Sequence, residues 1–432
     1  MKRDRIFLGV QEIAGMMERI DLAFHELGIE SEFFCMASYG FSSDDMEKKD
    51  QKILKKFRVH TNIIKKEKEG IKKNYYYFLQ LLDILHIFLY SITHFDAFIF
   101  IFGHGMFFYN KYLQKVEEIE FWILKKCHKK MLMWLCGSDS RAPYCDIYGE
   151  DKTVERIYGA TQKRNKRIKM LEKYMELIDY PASSHFHEKP YIVYNCIGVP
   201  IDTKEKCILT NQENRKVKIF HAPSNQKAKG STEIKSVLKE LENEGYEFEY
   251  VELSGVPHDE VLKTMAEADL VIDQLYADTP LAGFATEASL NGVPVIVGGY
   301  YAEYYDSVPQ NPIAPTIFCV PEMLKSKIIE LLDNKQLRKE LGTKAREYVE
   351  KNNDSKLVAQ KLLRVLDNDI PKEWMYAPEQ NEYPFGWGLT RDMVIKNVVD
   401  LVDNYGEEAL RLNKGHKIYQ VYMDLYRKQK DS

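Results

Sequence analysis

The segment Pro280–Ile296, PLAGFATEASLNGVPVI, carries the most specific chemistry in the chain. A small-residue loop with Ala282 and Gly283 opens a helical stretch, and Asn291-Gly292 and Pro294 then lead into an apolar strand. The first turn of a helix presents backbone N–H groups without intrahelical partners at the positive end of the helix dipole, which suits a diphosphate. Glu287 stands one turn inside, where its carboxylate suits hydrogen bonds from a ribose diol. The plain alternative is an ordinary loop–helix–strand passage with a surface glutamate.

Two apolar runs in the first half also end in glycine loops. Asp96–Phe102 leads into Gly103-His104-Gly105, and Lys130–Leu135 leads into Cys136-Gly137-Ser138-Asp139. Ligands of open α/β sheets sit outside the carboxyl ends of the strands, so both loops are candidate site segments. Gly15, in the first loop of the chain, would let backbone approach a ligand; its alternative is a turn glycine.

These candidates need a scaffold of alternating strands and helices, and the periodicity supplies one. Arg5–Val10 reads as a strand, Gln11–Gly15 as a loop, Met16–Leu27 as a helix stopped by Gly28, and Ser31–Met36 as a second strand. Residues 151–177 read as a basic helix and Tyr191–Tyr194 as a short strand. Ile197–Asp202 punctuates the chain as a linker. A second series follows: strands at Lys216–His221, Glu247–Leu253, Asp269–Gln274 and Pro294–Val297, with helices at Ser231–Glu244, Asp259–Ala268, Thr286–Asn291, Met323–Asp333 and Lys335–Lys351. The expected architecture is α/β, with two Rossmann-like doubly wound domains facing across a cleft. Residues 1–200 form the N-terminal domain, 201–380 the C-terminal domain and 381–432 a helical extension, whose last helix is expected to return to the N-terminal domain.

Composition agrees and excludes other classes. A chain of 432 residues, 45% hydrophobic, exceeds what one core usually holds. The net charge of −4 argues against nucleic-acid binding, which needs a basic excess. Residues 1–200 carry 31 basic and 27 acidic side chains and the remainder 30 and 38, so the first half is slightly basic and the second acidic. Seven cysteines without a Cys-x-x-Cys pair read as reduced thiols of a cytoplasmic protein. The start MKRDRIFLGVQEIAG is too soon interrupted by Gln11 and Glu12 for a secretory signal.

The run Gly-Phe-x-x-Glu-Ala…Gly-x-Pro-Val-Ile resembles the donor-binding signature of GT-B nucleotide-sugar glycosyltransferases, in particular the large retaining family 4 type. HAPSNQKAKG (221–230) is similar to the first loop of that group's C-terminal domain, where a basic residue before a glycine reaches the donor phosphates, here Lys229. Gly255-Val256-Pro257-His258 matches the loop near the nucleobase, and Ala266–Ile272 the helix and strand after it. The resemblance is best over about 195–365. It implies a donor, expected to be a UDP-sugar, held by Lys229, backbone at Gly283-Phe284, Glu287, and Val256 and His258, without a metal or other cofactor. It also implies retention of configuration.

The chain departs from the group in two places. The glutamate eight residues before the ribose-binding one is Thr279, with Asp278 adjacent, and Ser224-Asn225 stands where an arginine is usual. Asn225 or Lys227 would then assist on the phosphates. Gly137-Ser138-Asp139-Ser140-Arg141 resembles the acceptor-side Gly-x-Asp segment. Asp139 there would act as general base on an acceptor hydroxyl, or orient the acceptor, with Arg141 beside it. Its alternative is a helix cap. His104 is the second catalytic candidate, against a histidine bonded to local backbone.

Three weaker patterns are set aside. Asp367-Asn368-Asp369 has the form of a metal-binding Asp-x-Asp but ends a helical pattern, Gly103-x-Gly105 lacks a third glycine, and His185-Phe-His187-Glu188 lacks a third ligand. No metal site is expected.

Residues 51–73, with nine basic and two acidic side chains, lead into the aromatic helical stretch 74–92, where Gln80, Asp83, Ile87 and Tyr90 share a face. Asp83 and Asp96 interrupt the apolar run, so no membrane span is expected. A basic approach to such a helix suits peripheral contact with an anionic membrane and a lipid-linked acceptor. The basic stretch 152–173 adds to this. The leading expectation is a glycosyltransferase acting on a glycan or lipid-linked saccharide. The alternatives are an inert GT-B-fold scaffold or glycan-binding subunit, and a Rossmann-type oxidoreductase.

Overall fold

The computed structural model describes residues 4–39, 52–147, 153–194, 197–204 and 215–431. In chain order the elements begin with β1 (Ile6–Ile13), α1 (Met16–Glu26), β2 (Ser31–Tyr39), α2 (Lys52–Lys66), α3 (Ile71–His94), β3 (Ala97–Ile101), α4 (Glu117–Lys126) and β4 (Lys130–Trp134). Then come α5 (Val154–Glu172), β5 (Glu176–Ile178), β6 (Ile192–Val193), β7 (Val217–His221), α6 (Gln226–Lys229), α7 (Ser231–Asn243), β8 (Phe248–Glu252), α8 (His258–Met265) and β9 (Leu270–Ile272). The chain continues through α9 (Gly283–Leu290), β10 (Val295–Gly298), α10 (Ala302–Tyr305), β11 (Ile317–Cys319), α11 (Leu324–Asp333), α12 (Lys335–Asn352) and α13 (Ser355–Leu366). It closes with β12 (Met375–Tyr376), α14 (Arg391–Tyr405) and α15 (Lys417–Asp431).

Packing divides the chain into two compact units, each discontinuous in sequence. One comprises Met1–Cys136, Met170–Ile178 and Ala359–Ile370; the other comprises Gly137–Lys169, Asp179–Val358 and Pro371–Ser432. The expected boundary at residue 200 is a cut in sequence, whereas the units trade segments: the end of α13 packs with the first unit, and residues 137–169 pack with the second.

In the first unit five strands run parallel in the order β5-β4-β3-β1-β2. Strands buried on both faces read as unbroken apolar runs, and β3 (AFIFI) is buried at every residue. Phe7 on β1 stacks on Phe34 of β2 at 4.7 Å and lies 5.2 Å from Phe98 of β3, so aromatic pairs tie β1 to both of its neighbours. β1 runs three residues further than expected. After a register shift at Val10/Gln11 it continues pairing to Ile13↔Tyr39, leaving Ala14-Gly15 as the turn. The expected loop Gln11–Gly15 was read from polarity. The polar side chains Gln11 and Glu12 are in fact buried within the strand.

The second unit holds a five-stranded parallel sheet in the order β11-β10-β9-β7-β8, and an antiparallel pair of β6 with β12. Its core gathers Phe220, Val271, Val295 and Val297 from the strands with Ala285 and Ala288 from α9. The linker residue Ile201 is buried with Leu290 and Val349, and its N–H donates to Asn353 O at 2.9 Å. The punctuated stretch is thus packed, not free. The end of the helical extension is a short 3₁₀ turn at Glu407–Leu410 followed by α15. Tyr422 on α15 meets Tyr144 edge-on at 5.4 Å and its hydroxyl lies 3.2 Å from His185 Nε2. The tail therefore returns to residues of the first half of the sequence, within one compact unit. α3 runs on through Asp83 as one helix of 24 residues, long and apolar enough by length and composition to cross a membrane. Its inner side chains Ile84, Ile87 and Phe88 are buried in the first unit. The described cysteines are free thiols; Cys196 and Cys207 lie outside the described residues.

Candidate functional site

Each strand order contains one reversal, between β1 and β3 in the first unit and between β7 and β9 in the second. Loops leaving the two strands at such a point part in opposite directions. The crevice outside their carboxyl ends is where open α/β sheets take ligands. The sequence candidates fall on these loops: Gly15 and His104 follow β1 and β3, while Ser224, Asn225 and Lys229 follow β7.

In the second unit the loop after β7 is anchored from beneath. His221 is fully buried, with Nδ1 2.8 Å from Ile272 O and Nε2 2.8 Å from Ser231 Oγ. Burial lowers its pKa below the usual histidine value. A neutral ring must then donate from Nδ1 to the carbonyl and accept from the serine at Nε2, a clamp joining β7, β9 and α7. Asn225 caps α6, its Oδ1 accepting from Ala228 N at 3.1 Å, and Ser224 beside it is exposed. Gly230 follows at φ +70°, and a Cβ there would come within 2.7 Å of Leu275 Cβ, so only glycine brings the loop this close.

Lys229 is held in place. Its Nζ lies 2.9 Å from Oδ1 of Asp273, the residue after β9, and the Asp273 side chain is fully buried. The second oxygen, Oδ2, has no hydrogen-bond partner among the described residues. A buried carboxylate is costly unless paired, so Lys229 is the charge that makes Asp273 tolerable there. Sequence reasoning missed Asp273. Its signal was the acid ending the apolar strand of AEADLVID.

α9 begins at Gly283, where an added side chain would meet nothing within 4 Å. The Phe284 ring packs inward, edge-on to Phe220 at 5.6 Å. The Gly283-Phe284 dipeptide therefore offers backbone at the helix start and side chain to the core. Glu287 Oε1 lies 2.9 Å from His258 Nε2, so the expected ribose and nucleobase residues meet in space, with Val256 half-buried on the same loop.

Asp278, beside the Thr279 position, is engaged elsewhere. Arg141 donates to Asp278 Oδ2 from Nε at 2.9 Å and also from a terminal nitrogen, while its other terminal nitrogen meets Asp146 Oδ2 at 2.7 Å. Burial works against the guanidinium charge, but Asp278 and Asp146 outweigh it and hold the pKa above the usual arginine value. Arg141 is 4% exposed and is the centre of a buried triad. Asp139, two residues earlier, is also buried, in a turn closed by Ser140 N and Arg141 N donating to Gly137 O. Trp387 Nε1 donates to Gln274 Oε1 at 3.0 Å, which fastens the EYPFGWGLT segment to the loop after β9. His187, set aside as a ligand, pairs with Asp179 at 2.9 Å, both buried.

In the first unit, the loop carrying His104 is braced from α4. Glu117 accepts from Gly105 N at 3.1 Å and lies 3.4 Å from His104 Nδ1; Glu120 accepts from Met106 N and Phe107 N at 2.9 and 2.8 Å. Burial pushes the Glu120 pKa up to about 8. His104 stacks on Phe108 at 3.3 Å and is 7% exposed. Gly15 caps α1 at φ +73°, and before it the buried Glu12 accepts from Ile13 N, Met17 N and Glu18 N. Burial raises Glu12 to about 7. The period-2 and period-3.6 patterns carried no sign of these three glutamates, which serve loops rather than faces.

Among the described residues no group of three or more His, Cys, Asp or Glu side chains is arranged to hold a metal ion. Asp367 pairs with Lys130 and Asp369 with Arg364, both at the end of α13. A cavity of about 500 Å³, lined by Ile6, Leu27, Ala97 and Leu363 with Lys130 at its edge, opens at the amino ends of the strands, opposite the switch-point loops.

Comparison with solved structures assigns the fold. A sucrose-phosphate synthase from Thermosynechococcus elongatus superposes with a TM-score of 0.55 at 10% identity, over 85% of this chain and 99% of that one. The fold is GT-B. Weaker likenesses include the Anabaena protein Alr3699/HepE in complex with UDP and glucose (TM-score 0.49, 12% identity, 85% of this chain and all of that one). A glycosyltransferase from Rickettsia africae has a TM-score of 0.49 at 14% identity, over 86% of this chain and all of that one. No protein-family model and no curated protein matches the chain.

Proposed function

We propose that the protein is a glycosyltransferase that takes a sugar from a nucleotide diphosphate, a UDP-sugar, and places it on a glycan or lipid-linked saccharide. The reading rests on one arrangement. Lys229, the open start of α9 at Gly283, and the Glu287–His258 pair all lie on the carboxyl-end loops of one parallel sheet beside its switch point. The ammonium would meet the diphosphate, the backbone N–H groups of Gly283-Phe284 would share it, and Glu287 would take the ribose hydroxyls. Charge building on the departing diphosphate would be met by these fixed donors, which need no metal. Asp139 and His104 would serve the acceptor, with retention of configuration.

A second reading, an inert scaffold with the same fold, draws support from Asp278. The carboxylate nearest the Thr279 position is bound by Arg141 and buried. Calorimetric titration with UDP, together with hydrolysis and transfer assays over a panel of nucleotide sugars and acceptors, tests both. UDP binding that Glu287→Ala weakens about tenfold or more, together with turnover by the wild type, supports the enzyme. The same binding without turnover supports the scaffold. Affinity unchanged by Glu287→Ala overturns the donor site.

A further inference from the structure

A helix on the surface of a domain has one apolar face, turned to the core; α3 has two. Ile84, Ile87 and Phe88 are buried on one side. On the other, Ile71, Tyr75, Phe78, Leu82 and Leu89 are exposed, from 47% for Leu82 to 91% for Ile71. At 3.6 residues per turn these five fall within an arc of about 60°, opposite the buried set. Burial in the core does not account for such a stripe.

The segment before and within α4 lies alongside. Lys111 Nζ sits 4.3 Å from the Tyr77 ring of α3 and 4.9 Å from the ring of Tyr112. From there Tyr112, Val116, Ile119 and Trp122 add a second exposed apolar row, with Trp122 50% exposed. The charges around it are mostly cations: Lys115, Lys125 and Lys126 are exposed, whereas Glu117 and Glu120 are buried, Glu118 pairs with Lys173, and Glu67 and Glu69 before α3 pair with Lys72 and Lys73. α2, packed beside α3, turns Lys52, Lys55, Lys56, Lys65 and Lys66 to solvent.

We propose that this face of the first unit binds the surface of an anionic lipid bilayer, with α3 lying in the interfacial plane. Apolar and aromatic side chains enter the headgroup boundary, Trp and Tyr favour that depth, and lysines meet lipid phosphates and carboxylates. The helix lies on the bilayer instead of crossing it, because its other face is packed in the core and Asp83 is paired there with His60 at 2.5 Å. A second copy fits less well: a two-fold contact sets the same patch against itself, lysine against lysine. The proposal does not depend on the donor-site reading.

Co-sedimentation of the full chain with phosphatidylcholine vesicles, with and without about 30% phosphatidylserine, tests it at physiological salt. Binding is expected to the anionic vesicles alone and to fall as salt rises. Phe78→Glu with Leu82→Glu, and separately Lys115→Glu with Lys126→Glu, are each expected to weaken it at least about tenfold. Melting curves monitor folding; should the glutamates lower the melting temperature, serines at 78 and 82 replace them and are read the same way. Three results each overturn the proposal. They are no sedimentation with anionic vesicles, equal binding by the variants, or a dimer in light scattering that Phe78→Glu dissolves while vesicles fail to bind.

Discussion

Replacing Lys229 by alanine separates stability from ligand binding at the loop proposed to meet the donor. The Asp273 carboxylate is fully buried, with one oxygen on Lys229 at 2.9 Å and the other without a partner among the described residues. Removing one partner of a buried pair strands the other charge and typically costs about 3–5 kcal/mol. Lys229→Ala is therefore expected to lower unfolding stability by that amount in urea titrations followed by circular dichroism. Lys229→Ala with Asp273→Asn should recover most of the loss, because the amide needs no counter-charge. UDP affinity should behave differently. A hydrogen bond to a charged group contributes about 1.5–3 kcal/mol, so the single variant should bind UDP roughly 10- to 150-fold more weakly. The double variant should stay equally weak, since no ammonium returns. Stability unchanged within about 1 kcal/mol, or a double variant that regains UDP binding, refutes the assignment of Lys229 to both tasks.

Other sites give sharper one-variable tests. Glu287→Ala should scarcely alter stability, because its pair with the part-exposed His258 is worth about 0.2–1 kcal/mol. UDP affinity in calorimetry should nevertheless drop about tenfold or more. Arg141→Met leaves Asp278 and Asp146 buried together and should cost about 3–5 kcal/mol in the urea midpoint. Arg141→Lys should not rescue it, since an ammonium cannot reproduce the fork of donors. Burial raises Glu120 from 4.5 to about 8, so its carboxyl is protonated in the folded state at neutral pH while the unfolded chain ionises it. That contribution is complete below pH 4.5 and is lost as pH rises towards 8. Glu120→Gln should flatten the stability profile across this window; an unchanged slope counts against the buried neutral carboxyl.

Much of the scaffold was legible because parallel strands buried on both faces announce themselves as apolar runs. β3, β4 and β9 follow DAFIFIF, KMLMWL and the strand of AEADLVID to within two residues at each end. The loop and helix start around Gly283 were legible for a different reason. Glycine before a helix and glutamate one turn inside it follow from what a helix start can bind, and the structure brings Glu287 within 2.9 Å of His258. What escaped was set by partners distant in sequence. Nothing local marks Arg141 as the partner of Asp278, 137 residues away, or Glu117 and Glu120 as braces for the His104 loop. Polarity also misled at Gln11 and Glu12: the buried Glu12 carboxyl accepts from the turn after β1, Gln11 Oε1 accepts from the Tyr109 hydroxyl at 2.9 Å, and the strand continues through both.

The charge distribution poses the remaining physical problem, because the acidic half carries the loops expected to meet an anionic donor. Net charge sets long-range attraction but does not decide a contact, since a field of surface carboxylates is screened over about 8–10 Å at physiological salt. What acts at the loop is local. Asp273 is paired with the nearly buried Lys229, and Asp278 shares the buried Arg141 with Asp146, so the carboxylates nearest the loop are each held by a cation. Glu287, close to the α9 start, is paired with His258. The open backbone at Gly283 adds a local field at the start of α9, and its sign is positive. Slow association that is nearly insensitive to salt, with affinity carried by Lys229 and the helix start, is the kinetic signature this arrangement demands. Association strongly accelerated at low salt would place the attraction in the basic first unit instead.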